Sequence, residues 1–363
     1  MHSLLAVKCL AILALSDSYA TGLSTVRWNA RDLHTVPTSN GPITGHPASN
    51  SSDVLEFLGI PYGKPPVGDL RFAPPQRFAG NGSYEASNFG FDCPLSPSRQ
   101  VDYPDMTPQA QRIIGYFASA AGTPQSEDCL TLNVWTKPTG NALTAAKPVI
   151  VFFYGGRLAI GNTNSPFYNG KYFADAQDVV IVTVNYRINV FGFPGAPGQP
   201  QNLGLMDQRT AVEWVRDNIA GFGGDPAKIT IAGQSSGGVA VDYWSYAYIK
   251  DPIINGLIAP GAYHGVDLHM IFGASGDVSG IQPSDAQRKT TALMQSAWAT
   301  FANDPVDGLS SVLGWPKFDP NEESLVLLAV DNDPEPQFVK PSTYDAPCST
   351  ITLGALGTAT PSS

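Results

Sequence analysis

Three continuous apolar runs mark the chain: residues 148–154 (PVIVFFY), 179–186 (VVIVTVNY) and 228–232 (KITIA). They are rich in β-branched and aromatic side chains, as strands are when both faces of their sheet are covered. Between the second and third runs, residues 204–219 (GLMDQRTAVEWVRDNI) carry Leu205, Ala211, Val212, Trp214, Val215 and Ile219 at helical spacing. A helix between two such strands is the crossover that parallel neighbours require. The pattern predicts an α/β fold, with a second helix starting just after the third strand. Beyond Pro260 the periodicity weakens: residues 285–301 read as a helix, and the remainder is rich in Pro, Asp and Ser. That composition predicts a tail wrapped over the surface. No repeat, charge run or long linker divides the chain, so residues 21–363 are expected to form a single domain.

Composition narrows the class. The 363 residues are 43% hydrophobic and include 36 Gly and 31 Pro, which fits a chain with a large core and many turns and excludes disorder or collagen. Only 14% are charged and the formal net charge is −10. There is no basic field to gather phosphates, so nucleic acid is not expected as a partner. No window beyond the N-terminus has the roughly 18 apolar residues of a bilayer span, so no stable membrane insertion is expected. Residues 1–20 hold an apolar stretch over 9–15 and end Ser18-Tyr19-Ala20, with small residues at the two positions a signal peptidase reads. A cleaved signal peptide and a secreted, extracellular protein follow; the competing reading is a buried strand or helix of the fold. Cys93, Cys129 and Cys348 then remain, an odd set in an oxidising compartment, with no Cys-x-x-Cys or Cys/His cluster to hold a metal. One of them lacks a partner. Sequons at Asn50 and Asn81 agree with secretion.

The chemistry is concentrated where the third strand ends. Residues 229–232 (ITIA) run into Gly233-Gln234-Ser235-Ser236-Gly237-Gly238, a strand entering Gly-x-Ser-x-Gly and then a helix start. In that setting the serine sits in a tight turn with its hydroxyl above the sheet, and the next amide and the helix N-terminus face a developing oxyanion. Ser235 is the candidate nucleophile and Ser236 a candidate oxyanion donor. The plainer reading is a glycine-rich βα turn without catalysis. A second donor group is expected in Tyr154-Gly155-Gly156-Arg157, directly after the first strand, with Gly156 and Arg157 as candidates. Arg157 is bulky where a small residue would be freer.

With these motifs in place the chain resembles the type-B carboxylesterase/lipase family, which includes secreted esterases, cholinesterases and fungal lipases. The resemblance is carried by FLGIPYGKPPVGDLRFAPP (57–75), SEDCLTLNVW (126–135), PVIVFFYGG (148–156), VNYRINVFGF (184–193), residues 202–238 and GAYHG (261–265). It implies an α/β-hydrolase fold with a central, mostly parallel sheet, hydrolysis of small-molecule carboxylic esters through an acyl-serine, and no cofactor. It also implies a Cys93–Cys129 disulfide, and structural rather than catalytic ion pairs between Arg71 and Glu127 and between Arg187 and Asp207.

Ser235 needs a base and an orienting acid, which this fold supplies in chain order serine, carboxylate, histidine. Of five histidines only His264 and His269 follow the serine, and the GAYHG match makes His264 the expected base. The only carboxylates between Ser235 and His264 are Asp242 and Asp251. Asp242 is expected about two turns along the elbow helix, buried under the sheet and facing away. Asp251 lies beyond that helix and is not expected to replace the acid. The interval cannot hold the elbow helix and two further strands as well. The chain therefore reads as internally deleted near residues 259–260, with the sheet truncated in its C-terminal half and Cys348 left without a partner. Two rival readings follow: a catalytically inactive hydrolase-fold binding protein, and a splice or gene-model variant of a full-length esterase.

Overall fold

A computed structural model describes residues 34–49, 53–96, 122–138, 146–258 and 268–345, with 107, 108, 111, 112, 115, 116 and 143. The signal peptide expected at 1–20, Asn50, His264, Cys348 and the join at 259–260 lie outside the described residues. In chain order the strands are β1 (Thr35–Thr38), β2 (Gly41–Thr44), β3 (His46–Pro47), β4 (Leu55–Pro61), β5 (Tyr84–Glu85) and β6 (Thr131–Thr136). They continue as β7 (Lys147–Phe153), β8 (Val180–Val184), β9 (Gly224–Gly233), β10 (Gly256–Ile258), β11 (Leu325–Leu327) and β12 (Gln337–Val339).

The three apolar runs become β7, β8 and β9, the central members of a seven-stranded sheet ordered β10-β9-β7-β8-β6-β4-β3. Pairing is parallel from β10 through β9 and β7 to β8 and antiparallel from β8 through β6 and β4 to β3. Every residue of β6, β7 and β8 is buried, which is why these strands show no alternation. On one face Phe152 meets Tyr168 and Phe272, and Gln295 of the helix Asp285–Asn303 donates to the Ile271 carbonyl at 2.9 Å. Elsewhere in the core Phe222 joins Phe57 of β4 to Trp214 of the crossover helix.

The crossover helix runs Leu203–Asn218, and Ala211, Val212, Trp214, Val215 and Ile219 are buried as the spacing predicts, with Leu205 half-buried. β9 starts four residues earlier than its apolar run, where Gly224 pairs with Lys147; residues 224–227 (GDPA) give no strand signal, since they hold Pro226, which cannot donate to a ladder. Register slips there between Lys147 and Val149 of β7. The helix after β9 is Ser236–Ala247. Towards the C-terminus no residue from 309 to 340 is buried, in keeping with a surface tail.

Two cross-links tie the loops to this sheet. Cys93 and Cys129 are bonded across a sequence separation of 36 residues, which on a chain-entropy basis is worth ~3–4 kcal/mol. Arg187, just after β8, grips Asp207 of the crossover helix with Nε at 2.8 Å, Nη2 at 2.7 Å and its backbone amide at 3.0 Å. Its Nη1 donates to the carbonyls of Arg71 and Ala73, and Arg71 in turn pairs with Glu127. Both partners of the Arg187–Asp207 pair are buried.

β10 is the last strand of the sheet among the described residues, and nearby apolar groups face solvent: Tyr246 is 74% and Ile249 76% exposed. An apolar flank beside a sheet edge promotes association. Light scattering should rise with protein concentration and fall in Ile249→Glu; equal scattering from both proteins would count against it. Asp207→Ala leaves the Arg187 guanidinium buried without its counter-ion and should cost ~3–5 kcal/mol, read as a lower urea midpoint.

Candidate active site

β9 and the helix Ser236–Ala247 are joined through Gln234 and Ser235, and Ser235 has φ 54° and ψ −123°. A side chain raises the energy of that backbone conformation, so it persists only where the surroundings over-determine it. They do so by close packing. A Cβ at Gly237 would stand 2.2 Å from the Phe153 carbonyl oxygen at the end of β7, so only glycine lets the elbow helix approach the sheet this closely. A Cβ at Gly155 would stand 2.8 Å from Ser235 Cβ and 2.3 Å from Gln234 Oε1. The loop after β7 therefore abuts the candidate nucleophile through bare backbone.

That loop turns left-handed. Gly156 has φ 120°, and Arg157 and Leu158 follow at 58° and 59°. The amides of Ala159 and Ile160 both donate to the Gly156 carbonyl at 3.0 Å, closing the turn, and the Leu158 amide donates to Ser236 Oγ at 3.2 Å. Gly156, Arg157, Ser235 and Ser236, the four residues that the motifs single out around the nucleophile, thus share one end of β7 and β9. Arg157 occupies the left-handed region despite its bulk, with its side chain exposed.

The floor beneath the loop is a buried polar network that sequence reading missed. Tyr154 and Tyr186, each just beyond the end of its strand, stack at 4.4 Å between centroids. Tyr154 OH donates to the Tyr186 carbonyl at 2.9 Å, and Tyr186 OH to the Tyr154 carbonyl at 2.5 Å. Tyr62 OH donates to the Asn185 carbonyl at 2.6 Å. Burial pushes all three phenols well above their ordinary pKa, which keeps them as neutral donors. The available signal was the tyrosine closing both PVIVFFY and VVIVTVNY. Beside them Asp92 is fully buried; its Oδ1 accepts from Asn164 Nδ2 at 2.5 Å, and Oδ2 has no hydrogen-bond partner among the described residues. Burial outweighs the Asn164 bond and lifts the Asp92 carboxyl to about 7.

The other candidate positions fall as follows. Asn81 is exposed, as a glycan acceptor must be, and Cys93 is bonded to Cys129. Asp242 departs from expectation: it is on the elbow helix but exposed rather than buried under the sheet, because it lies on the solvent side, next to exposed Tyr243. Asp251 is also exposed and its carboxylate is held by Arg209 Nη2 at 2.6 Å, while its carbonyl accepts from Arg209 Nη1. The same guanidinium lies over the rings of Trp244 and Tyr248. His269 is on the short helix Leu268–Ile271. Among the described residues no group of three or more His, Cys, Asp or Glu could hold a metal ion.

A mostly parallel sheet with a serine on a positive-φ elbow between strand and helix is the α/β-hydrolase arrangement. The sequence model of the Carboxylesterase family matches residues 32–259. The chain belongs to that family. It is 38% identical over 286 residues to a chlorogenic acid esterase of Aspergillus niger, covering 74% of this chain and 54% of that protein. Over 243 residues it is 38% identical to secreted lipase 5 of Gibberella zeae, covering 62% of this chain and 44% of the lipase. The acetylcholinesterase of Electrophorus electricus is also 38% identical, over 215 residues that make up 57% of this chain and 32% of that enzyme. The matched stretch thus spans about half the length, or less, of these relatives.

Asp92 makes stability depend on pH. In the unfolded chain its carboxyl ionises near 3.8, but in the folded protein only near 7. The folded state is therefore favoured below about pH 4, loses that advantage as pH rises to about 7 and is level above, with a slope of up to ~1.4 kcal/mol per pH unit. Asp92→Asn should flatten this part of the curve, measured as urea midpoints from pH 4 to 8; an unchanged slope would exclude Asp92 as its source.

Proposed function

We propose that this protein is a secreted carboxylic ester hydrolase that works through an acyl-serine at Ser235. The observation that carries the reading is the Ser235 elbow, at φ 54° and ψ −123°, with the backbone of Gly155 against it. Ser235 Oγ attacks the ester carbonyl, His264 takes the hydroxyl proton and returns it to the leaving alcohol, and water then cleaves the acyl-enzyme by the same route. The amides of Gly156, Arg157 and Ser236 hold the oxyanion of each tetrahedral intermediate. Its substrates are small carboxylic esters, the class named for the esterase and lipase relatives. Secretion is supported by the pattern of residues 1–20, the exposed Asn81 sequon and the Gibberella relative named a secreted lipase.

A second reading, a hydrolase-fold protein without turnover, is favoured by one observation: Asp242 and Asp251, the only carboxylates between Ser235 and His264, point to solvent or to Arg209. An internal deletion near 259–260 accounts for this, and the end of the family match at residue 259 supports it. In a serine protease, disabling the orienting acid lowers kcat by ~10⁴ while nucleophile and oxyanion donors retain residual catalysis. Ester turnover is therefore expected to be slow, with acylation of Ser235 by an activated probe still detectable.

Incubation with an organophosphonate serine probe and peptide mapping tests the reading. Labelling on the Ser235 peptide that is absent in Ser235→Ala is expected. Absence of labelling in soluble protein with an intact unfolding transition would overturn the hydrolase reading and leave the binding protein.

A further inference from the structure

Arg157 and Leu158 are consecutive residues with side chains, both in the left-handed region, at φ 58° and 59°. Side chains disfavour that region, and neither residue has the short polar group that lets Asn or Asp offset the cost locally. The run must be held from outside. Two hydrogen bonds on the Leu158 peptide unit and its neighbour do so. The Leu158 carbonyl accepts from the Asn189 amide at 2.5 Å, fixing the loop to the segment after β8. The Leu158 amide donates to Ser236 Oγ at 3.2 Å, fixing it to the first turn of the elbow helix.

Ser236 is therefore used twice. Its backbone amide is the oxyanion donor that follows the nucleophile, and its hydroxyl holds the loop carrying the other two donors, Gly156 and Arg157. We propose that the Ser236 hydroxyl is a positioning group that sets the spacing between the two halves of the oxyanion hole. The proposal rests on Ser235 being the nucleophile. Donors act on a transition state only when they meet the place its oxygen will occupy. Releasing the loop should therefore slow bond formation at Ser235 more than it weakens initial binding. Alanine at 236 leaves every backbone amide in place and removes only the acceptor for Leu158, whereas threonine keeps a hydroxyl.

Two measurements on the full chain test this. The first is hydrogen exchange of the Leu158 amide, which is independent of catalysis: exchange should rise at least about 10-fold in Ser236→Ala, as expected when one hydrogen bond of a half-buried amide is lost, and should rise less in Ser236→Thr. The second is saturable phosphonate labelling: the maximal rate constant should fall about 10- to 100-fold in Ser236→Ala, less than the loss of a whole oxyanion donor. The half-saturating probe concentration should stay constant, and Ser236→Thr should recover much of the rate. Unchanged Leu158 exchange in Ser236→Ala would overturn the proposal, as would faster exchange with an unaltered labelling rate. If wild-type protein is not labelled, the hydrolase reading fails and the oxyanion role fails with it, while the exchange result separately decides whether the hydroxyl holds the loop.

Discussion

At the carboxyl ends of β7 and β9 the backbones come closer than any side chain would allow. A Cβ on Gly237 would fall 2.2 Å from the Phe153 carbonyl, and one on Gly155 would overlap both Gln234 and Ser235. This steric closure determines the rest of the site. With the elbow helix pressed onto β7, the two residues between β9 and that helix have little room in which to turn, and Ser235 takes the positive φ that remains. A strained residue of this kind costs about 1–3 kcal/mol. The surrounding parallel ladder and the buried core on β7 and β8 are large enough to carry it, since each fully buried large apolar side chain contributes about 1.5–3 kcal/mol.

The same end of the sheet is stiffened from below by polar groups. The exchange of hydroxyl-to-carbonyl bonds between Tyr154 and Tyr186 fixes the segments just past two adjacent strands to one another. The residue after Tyr154 is Gly155, so the position of the loop beside Ser235 follows from this pair. Arg187, directly after Tyr186, then locks the crossover helix and the 71–73 segment to the same strand end. A polar network of this kind specifies a unique arrangement because each buried donor has one acceptor within reach and a large penalty for losing it. Asp92 and its partner Asn164 each keep one oxygen unsatisfied among the described residues, and burial lifts the Asp92 carboxyl to about 7.

What could be read from the sequence divides along the range of the interactions. β7 and β8 were legible because burial on both faces writes a continuous apolar run, and the elbow was legible because Gly-x-Ser-x-Gly between a strand and a helix is a local pattern. The start of β9 was not, since Gly224 to Ala227 carry no apolar signal and pair only at Gly224. The Tyr154–Tyr186 exchange, the Asn164 bond to Asp92 and the Ser236 bond to Leu158 join residues 32, 72 and 78 positions apart, and no local pattern encodes them. The Arg187–Asp207 and Cys93–Cys129 links came from family resemblance alone. Asp242 was misplaced because helical distance from Ser235 gives its height along the helix, whereas exposure depends on which face the helix turns to the sheet.

The division of the site between parts of the chain follows from this geometry. The candidate nucleophile and the loop beside it are made by residues 154–236, on strands that have neighbours on both sides in the sheet, while Tyr62 and Asp92 join the network beneath from earlier in the chain. Residues past β10 cover one face of these strands, as Phe272 does on Phe152. Asp242 on the elbow helix faces solvent, and Asp251 beyond it is held by Arg209. β10 pairs directly with β9, the strand that leads into the elbow, and three hydrogen-bonded ladders separate it from β8. A change at the β10 edge thus reaches the elbow through a single ladder, whereas the Tyr154–Tyr186 pair at the ends of β7 and β8 lies further from it.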